Sequence, residues 1–375
     1  MLIEVCENVL AKALDKNDKD REQALEVIRH LCLAIRKNCH LIHIPQLSLK
    51  IINSLNAELS KSEIKALNFV YAKRRDLNAL SSQLSVKMIV SYDEASRHEI
   101  GTIFLNPSTS SHVELYEECH LLAENIHDTE FYRIVTKVIQ KSRHIDTAVY
   151  QTCFYPVQGG GVTLKDVYKL ECQLEHHLCL AIIDCDKKWP NCNENGNTAK
   201  KFEEEIGPIG MSLLSEYYIM KMVSEIENMI PIDVLSKFSS PKQKNFLKNH
   251  YQVLPWCDMK KGLEYKILYD KTAYKEWKME LPTEIQWATV DALMSSSKDK
   301  KDYERKVKQM QFPLAYDPWG TTIMASVLYP DRKHSGKYDL YSTDISKLHP
   351  NQKTEWEEIG WKIFCWTCCF TRKIY

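Results

Sequence analysis

Six acidic residues follow apolar segments in the middle of the chain, at the points where polar residues begin. They are, in chain order, Glu124, Asp128, Asp184, Asp186, Glu225 and Glu227. Carboxylates that share one crevice repel one another, and burial raises the cost of their charge. A bound Mg²⁺ or Mn²⁺ removes that cost, because hard divalent cations prefer oxygen ligands. The pattern therefore predicts a metal site with Mg²⁺ or Mn²⁺ as the cofactor.

Asp184 and Asp186 are at the centre of this hypothesis. In an extended segment, residues two apart project to the same face, and Glu124 from a neighbouring strand would complete the cluster. Such a cluster can hold one metal, or two for in-line phosphoryl chemistry. Simpler interpretations stay open: a solvated acid pair at the strand end, and an Asp128 carboxylate that is favoured only by a helix dipole. Glu225 and Glu227 fit the solvated start of a helix equally well.

Strands and helices alternate between residues 84 and 240. This alternation predicts an α/β domain with a central parallel sheet, helices on both faces and right-handed crossovers. Functional groups in such sheets collect beyond the carboxyl ends of the strands. The predicted strands span 84–91, 101–105, 119–124, 148–156, 178–184 and 217–223. The predicted helices span 127–140, 163–177 and 198–206, and the pair His176-His177 is interpreted as a helix end that caps or faces solvent.

The flanking regions have a different pattern. Residues 1–83 predict a helical N-terminal module, because apolar residues recur at helical spacing over 22–35 and 51–80. Ser60 and Glu63 fit a capping box at the start of one helix. Residues 241–375 predict a mostly helical C-terminal region that is rich in lysine.

Composition and charge exclude several classes of protein. An apolar share of 44% rules out a wholly disordered chain, and 50 Lys and Arg against 50 Asp and Glu give no global sign of nucleic-acid binding. The net charge is +3 over residues 1–80, −9 over 81–240 and +6 over 241–375. An acidic centre with basic flanks suits a metal site with a polyanion-binding rim, although ordinary surface variation explains it as well.

The expected location is the cytoplasm. The 13 cysteines are an odd number spread over a long chain, which favours reduced thiols over a disulfide framework. No apolar stretch is long enough to cross a bilayer, and the acidic N-terminus lacks the basic region of a secretory signal. No membrane partner is therefore expected.

Three consecutive glycines, Gly159–Gly161, lie between a predicted strand and a predicted helix. Because glycine has no Cβ, the backbone here could pass close to a metal or a phosphate. The segment is not a P-loop, since no Gly-Lys-Ser/Thr follows it. A flexible turn is the simpler interpretation.

The order of these motifs resembles a known family. LLAEN-x-x-D, a helix, a strand, GGG-V-T, a helix, LAIIDCD and then EIEN is similar to the TOPRIM domain, and most of all to the OLD-like branch of nucleases. That family's first motif reads E-G-x-x-D, and Asn125 stands here in place of the glycine. The EIEN segment resembles the E-x-E-N of TOPRIM effectors in bacterial anti-phage systems such as PARIS. The resemblance covers residues 115–235.

The resemblance implies a TOPRIM-like sheet and a metal-dependent nuclease that cleaves DNA or RNA, in the manner of a toxin-like defence effector. Glu124 would be a metal ligand or the general base. Asp184 and Asp186 would be metal ligands, with Asp128 and Glu227 as secondary ligands.

Nucleases of the OLD-like branch also use a lysine beyond the sheet to stabilise charge in the transition state. Lys260 is the candidate for this catalytic role, and Lys187 and Lys188 compete with it because they adjoin the D-x-D motif. Related effectors are commonly paired with an ABC-type ATPase, and this chain has no Walker A motif, so an ATPase partner chain is expected. A homodimer is a further expectation from the resemblance.

Two other functions remain open. A sugar-nucleotide transferase could use D-x-D to hold a metal–diphosphate, and it would not need Glu124. A non-catalytic binding or scaffold subunit could retain a TOPRIM-like sheet without metal chemistry.

Overall fold

The computed structural model describes most of the chain, in two compact units. The described residues are 1–110, 113–174, 177–189, 192–206, 212–283, 285–310, 314, 316–331, 336 and 338–371. The first unit comprises Met1–Ile182, Glu203–Tyr218 and Glu358–Tyr375, and the second comprises Ile183–Phe202 and Ile219–Glu357.

Strands form three sheets in the described residues. They are β1 (Leu2–Val5), β2 (Leu41–His43), β3 (Lys87–Val90), β4 (Arg97–Glu99), β5 (Thr102–Leu105), β6 (Cys119–Ala123), β7 (Tyr150–Thr152), β8 (Phe154–Gln158), β9 (Cys179–Ile183), β10 (Ser215–Ile219) and β11 (Cys368–Phe370). The sheet orders are β2-β1-β3-β5-β4, β10-β9-β6-β8 and β11-β7.

Helices make up most of the remaining regular structure. They are α1 (Glu7–Leu14), α2 (Arg21–Lys37), α3 (Leu49–Leu55), α4 (Lys61–Ser81), α5 (Ile126–Ser142), α6 (Leu164–Leu174), α7 (Asn197–Ile206), α8 (Ile232–Leu235), α9 (Pro241–Asn249), α10 (Lys271–Glu280), α11 (Trp287–Ser296), α12 (Lys300–Lys308), α13 (Ile323–Leu328) and α14 (Pro350–Thr367). Within the described ranges, every helix is too short or too polar to cross a bilayer.

The first sheet corrects the prediction of a purely helical N-terminal module. β1 pairs in parallel with β2 and β3, and β3 pairs in parallel with β5, while β4 closes the edge in the antiparallel sense. Residues 1–83 therefore contribute two strands as well as four helices. These strands are runs of only four and three residues, which are too short for periodicity to separate them from buried helix.

The second sheet confirms the predicted α/β class with parallel strands. β6 pairs in parallel with β8 and with β9, and Leu121 of β6 lies opposite Pro156 on one side and Leu180 on the other. All five residues of β9 are buried, as expected for a strand that is covered on both faces. Helices α5 and α6 lie between successive strands of this sheet along the chain.

Local capping signals are also confirmed. At the start of α4, the backbone N–H of Glu63 donates to Ser60 Oγ at 3.4 Å, and the backbone N–H of Ser60 donates to Glu63 Oε2 at 2.6 Å. The reciprocal bonds satisfy two backbone donors that a helix leaves free at its N-terminus. Two helices, α3 and α4, replace the single apolar pattern over 51–80.

An aromatic core organises much of the second unit. Trp277 and Tyr303 are fully buried in it beside Tyr265 and Val253. The buried polar atoms have partners, because Tyr303 Oη donates to the Tyr265 carbonyl at 2.9 Å and Trp277 Nε1 donates to the Lys188 carbonyl at 3.1 Å. Helices and 3₁₀ turns form this unit around the core. The unit also includes Ile183–Phe202 and lacks Glu358–Tyr375, so its bounds differ from the predicted C-terminal region of residues 241–375.

Gly360, in the part of α14 that belongs to the first unit, allows this helix to approach α5 closely. A Cβ at this position would lie 2.7 Å from Ile139 Cγ1 and 3.3 Å from Val135 Cγ1, both on α5. A larger side chain must therefore push the helices apart or force other side chains out of their rotamers.

We expect Gly360→Val to lower the free energy of unfolding by about 1–3 kcal/mol, because it overpacks this contact. Urea unfolding followed by circular dichroism measures the change. Lys353→Val, at an exposed position of the same helix, controls for the helix propensity of valine. Equal effects of the two substitutions would contradict tight packing at Gly360.

Candidate metal centre

The predicted site residues fall in both compact units. Glu124 and Asp128 belong to the first unit, and Asp184, Asp186, Glu227 and Lys260 belong to the second. The predicted grouping of Glu124 with the D-x-D motif stays a prediction.

Glu124 follows β6 and lies beside the glycine segment. The backbone N–H of Gly160 donates to the Glu124 carbonyl at 3.0 Å, and the N–H of Gly159 donates to the Ala123 carbonyl at 2.8 Å. Gly160 and Gly161 take φ values of 71° and 61°, which disfavour any residue with a Cβ. A Cβ at Gly161 would lie 3.9 Å from Glu124 Oε2. The glycines therefore bring a backbone without side chains next to this carboxylate.

Asp128 takes part in the N-terminal cap of α5. Its Oδ2 accepts a hydrogen bond from the backbone N–H of Asn125 at 2.8 Å, and Asn125 Oδ1 accepts one from the N–H of His127 at 3.1 Å. Asn125 is thus the N-cap residue at the position where the resembled motif has glycine. These bonds agree with the simpler interpretation, in which the Asp128 carboxylate is favoured by the N-terminus of a helix. The role of Asp128 as a secondary metal ligand stays a prediction.

Three buried carboxylates meet in the second unit. Asp184, Glu225 and Glu227 each offer one oxygen, and these oxygens all lie within 4.8 Å of one another. The residues are only 4%, 6% and 3% exposed. Such burial is costly for like charges unless a cation lies among them.

The EIEN segment holds these acids in place by its own hydrogen bonds. The N–H of Ile226 donates to Asp184 Oδ1 at 3.2 Å, and the N–H of Glu225 donates to Asn228 Oδ1 at 2.9 Å. Asn228 is fully buried, and its Nδ2 donates to the carbonyls of Leu254 and Cys257 at 2.8 and 2.7 Å. The asparagine therefore anchors the short 3₁₀ turn that presents both glutamates.

Lys260 is the cation that the structure places against this cluster. Its Nζ lies 3.0 Å from Glu225 Oε2 and 3.1 Å from Glu227 Oε2. Asp258 positions the turn, because its Oδ1 accepts the backbone N–H groups of Lys260 and Lys261 at 3.0 and 2.7 Å. Burial alone would lower the pKa of Lys260, but the carboxylates of the cluster outweigh it and raise the pKa above its usual value.

One ammonium group cannot balance three carboxylates. Burial is the largest cause of a raised pKa of about 8 at Glu225, where Lys260 pulls the pKa down and Glu227 and Asp258 push it up. We therefore assign a shared proton to the cluster near neutral pH, held on Glu225. A divalent cation would replace that proton and let all three carboxylates ionise.

Two oxygens of the cluster could bind a metal beside the Lys260 ammonium or in its place. The Oε2 atoms of Glu225 and Glu227 are buried, and no group in the described part of the chain donates a well-directed hydrogen bond to them. Their ion pairs with Lys260 are contacts of charge without that directed bond. Buried oxygens of this kind are the ligands that Mg²⁺ and Mn²⁺ prefer, so the residues present fit the predicted cofactor.

The backbone at Asp186 is not extended, which contradicts the prediction that Asp184 and Asp186 project to the same face of an extended segment. β9 ends at Ile183, and Asp186 has a φ of 49°, so the alternation of an extended segment does not continue to it. Its N–H donates to the Ser224 carbonyl at 2.9 Å, and Gly196 is required beside it because a Cβ there would collide with the Asp186 Cβ. Among the described residues, the three-acid cluster contains Asp184 and not Asp186.

Asp186 and Glu225 instead share the wall of a cleft of about 260 Å³ in the second unit. Three lysines line the same cleft, namely Lys187, Lys188 and Lys261. Burial raises the pKa of Asp186, and Lys260 and Lys261 oppose that shift. Acids on one wall and lysines around it suit a ligand with phosphate groups bound through a cation.

Glu225 is the functional candidate that sequence reasoning undervalued. Glu225 and Glu227 were both consistent with a solvated helix start, yet both are buried. No local signal separates buried acids from solvated ones here, because the turn is fixed by Asn228, whose amide donates to the carbonyls of Leu254 and Cys257 far along the chain.

Comparison of the chain with family models, with curated proteins and with solved structures finds no match. The function is therefore inferred from the residues of this chain and their geometry.

The raised pKa of Glu225 makes stability depend on pH in the metal-free protein. Glu225 binds its proton more tightly when folded, at a pKa of about 8, than at its ordinary value of 4.5. Its contribution to stability is therefore complete below about pH 4.5 and is lost as the pH rises toward about 8. We expect Glu225→Gln, which cannot ionise, to gain stability relative to the wild type over this interval, by at most about 1.4 kcal/mol per pH unit.

Urea unfolding in the presence of EDTA at several pH values measures this difference. Glu194→Gln, at an exposed carboxylate of the same unit, is the matched control and should follow the wild-type profile. Parallel pH profiles for wild type and Glu225→Gln would show that Glu225 is ionised throughout.

Proposed function

We propose that this chain is a metal-dependent phosphodiesterase that hydrolyses DNA or RNA, and that Asp184, Glu225 and Glu227 hold its Mg²⁺ or Mn²⁺. The observation that carries the proposal is the meeting of these buried carboxylates with Lys260. The resemblance to TOPRIM nucleases adds the expectation of a toxin-like defence effector under the control of an ABC-type ATPase partner chain.

A bound divalent cation would supply a Lewis acid and an activated water for attack on phosphorus. Lys260 offers a fixed positive charge beside the position of that cation, where it can stabilise charge that develops on the phosphate oxygens. Glu225 would be ionised as a ligand of that cation, so proton transfer to or from water would fall to another group, and Glu124 is the predicted general base.

Phosphate binding is the part of the proposal that the cleft supports. Lys187, Lys188 and Lys261 provide positive charge on the wall that Asp186 and Glu225 share. When lysines neutralise phosphates, cations that were condensed on the nucleic acid are released into solution. Because this release is less favourable at high salt, binding of nucleic acid should weaken as the salt concentration rises. Trp256, with Lys187 Nζ 5.7 Å from its ring centroid, adds an aromatic face to this wall.

We expect Asp184→Asn and Glu227→Gln to lower Mn²⁺-dependent cleavage of plasmid, genomic DNA or total RNA by about 10²–10⁴-fold, because each removes a charged ligand. Gel analysis of the three substrates, with and without EDTA, gives the measurement. Asp233→Asn, at an exposed acid of the same unit, is the matched control and should cleave normally.

Glu124→Gln is assayed beside these variants. A comparable loss supports the predicted role of Glu124 as ligand or general base, and full activity assigns the metal site to the second unit alone. Absence of Mn²⁺-dependent cleavage by the wild type on all three substrates would contradict the nuclease proposal.

A second candidate function, a non-catalytic binding subunit, is favoured by one observation. The ammonium group of Lys260 lies where a cation among the carboxylates is needed, and a lysine can replace a metal in a structural site. In that case the cluster would be an ion-pair network without chemistry.

Removal of the lysine separates the two functions. For the nuclease, we expect wild type and Lys260→Ala both to bind Mn²⁺ in calorimetric titrations, while cleavage by the variant falls at least about tenfold. Lys260→Arg, which keeps the charge, controls for electrostatics. Mn²⁺ binding that appears only in Lys260→Ala would show that the ammonium occupies the cation position, and would favour the binding subunit.

A further inference from the structure

The first unit contains a second group of converging ligand atoms, of different chemistry. His120 Nδ1 lies 2.7 Å from Glu171 Oε2, and His177 Nε2 lies 3.0 Å from the same oxygen. One ligand atom from each residue lies within 4.8 Å of the other two. We propose that His120, Glu171 and His177 bind a transition-metal ion of the Zn²⁺ class.

Three secondary-structure elements bring these residues together. His120 is the second residue of β6, Glu171 is in the last turns of α6, and His177 comes just before β9. The parallel pairing of β6 with β9 places His120 opposite Cys179, and the His120 N–H donates to the Leu178 carbonyl at 2.7 Å. The two imidazoles are therefore held by the sheet, and the helix supplies the carboxylate.

The donor set selects the class of ion. Two imidazole nitrogens and one carboxylate oxygen suit Zn²⁺, Co²⁺, Ni²⁺ or Cu²⁺, whereas Mg²⁺ prefers oxygen ligands alone. Bonds of about 2.0–2.1 Å in a tetrahedral site separate neighbouring ligand atoms by about 3.3 Å. The His120–Glu171 and His177–Glu171 distances of 2.7 and 3.0 Å would thus open by about 0.6 and 0.3 Å to admit an ion.

The surroundings favour a defined ring orientation. Glu171 Oε2 lies within hydrogen-bonding distance of both imidazoles, so the three side chains already converge on one point. The imidazole rings lie 3.7 Å apart at 31°, and the Tyr155 ring lies 5.0 Å from His120. The side chains of His120, Glu171 and His177 are 21%, 14% and 11% exposed, which leaves access for an ion and for a further ligand.

This arrangement corrects the interpretation of the histidine pair. His177 was expected to cap a helix or to face solvent, but it pairs with Glu171. His176 lies outside the described residues. The partner histidine, His120, is far away in sequence, so spacing alone gave no sign of the site.

The test is a titration of the full chain with Zn²⁺ against a chelator of known affinity, followed by a Co²⁺ spectrum. We expect one Zn²⁺ to bind, with affinity reduced more than about tenfold in His120→Ala, His177→Ala and Glu171→Gln. The binding should also weaken as the pH falls, because protons compete for imidazole. The isosteric Glu171→Gln variant keeps the test valid where a histidine variant fails to fold.

Two controls define the site. His30 Nε2 lies 3.1 Å from Glu26 Oε1, in a His–Glu pair with a single histidine. The His30→Ala variant removes this imidazole and should bind Zn²⁺ like the wild type. Asp233→Asn, at an exposed acid of the second unit, should also bind Zn²⁺ like the wild type. The readout is Zn²⁺ binding and not cleavage, so failure of this site and failure of the nuclease proposal are separate results.

Two results would overturn the proposal. One is Zn²⁺ affinity that is equal in the wild type and all three ligand variants, which would make the group a hydrogen-bonded His–Glu–His cluster. The other is a Co²⁺ spectrum dominated by thiolate charge transfer, which would assign the ion to the free cysteines.

Discussion

A single ammonium group that faces buried carboxylates is the interaction on which the candidate centre depends. Lys260 contacts Glu225 and Glu227 directly, and Asp184 completes the acid cluster. Buried like charges are unstable without a cation, so the cluster keeps its place only with the lysine, a proton or a metal ion among its oxygens. This competition links the protonation of the centre, the stability of the unit that contains it and the affinity for a divalent ion.

The scaffold around the cluster consists of backbone groups and one buried amide. Asn228 connects the EIEN turn to the carbonyls of Leu254 and Cys257, and Asp258 shapes the turn that carries Lys260. Both connections are made within the second unit, and the bonds of Asn228 join segments that are distant in sequence, whereas those of Asp258 are local. The turns that carry the acids and the lysine are therefore fixed by hydrogen bonds that leave Oε2 of both glutamates facing the Lys260 ammonium.

The two groups of ligand atoms differ in the ions that they suit. The acid cluster offers oxygen alone and suits Mg²⁺ or Mn²⁺, whereas the His120, Glu171 and His177 group offers imidazole nitrogen and suits ions of the Zn²⁺ class. Each group is built from residues of one compact unit. Under the two proposals, the groups would select different classes of divalent ion by donor chemistry.

Local patterns in the sequence determined the elements of the α/β region, the capping box at Ser60 and the positions of the acidic motifs, because periodicity and caps depend on near neighbours. Short strands such as β1 escaped prediction, since three or four residues are too few to show a period. Only the tertiary structure decided which acids meet. A positive φ takes Asp186 out of the strand geometry, and long-range bonds to Asn228 bury Glu225 with Asp184. Likewise, no local spacing joins His120 to His177, because strand pairing brings them together through the fold.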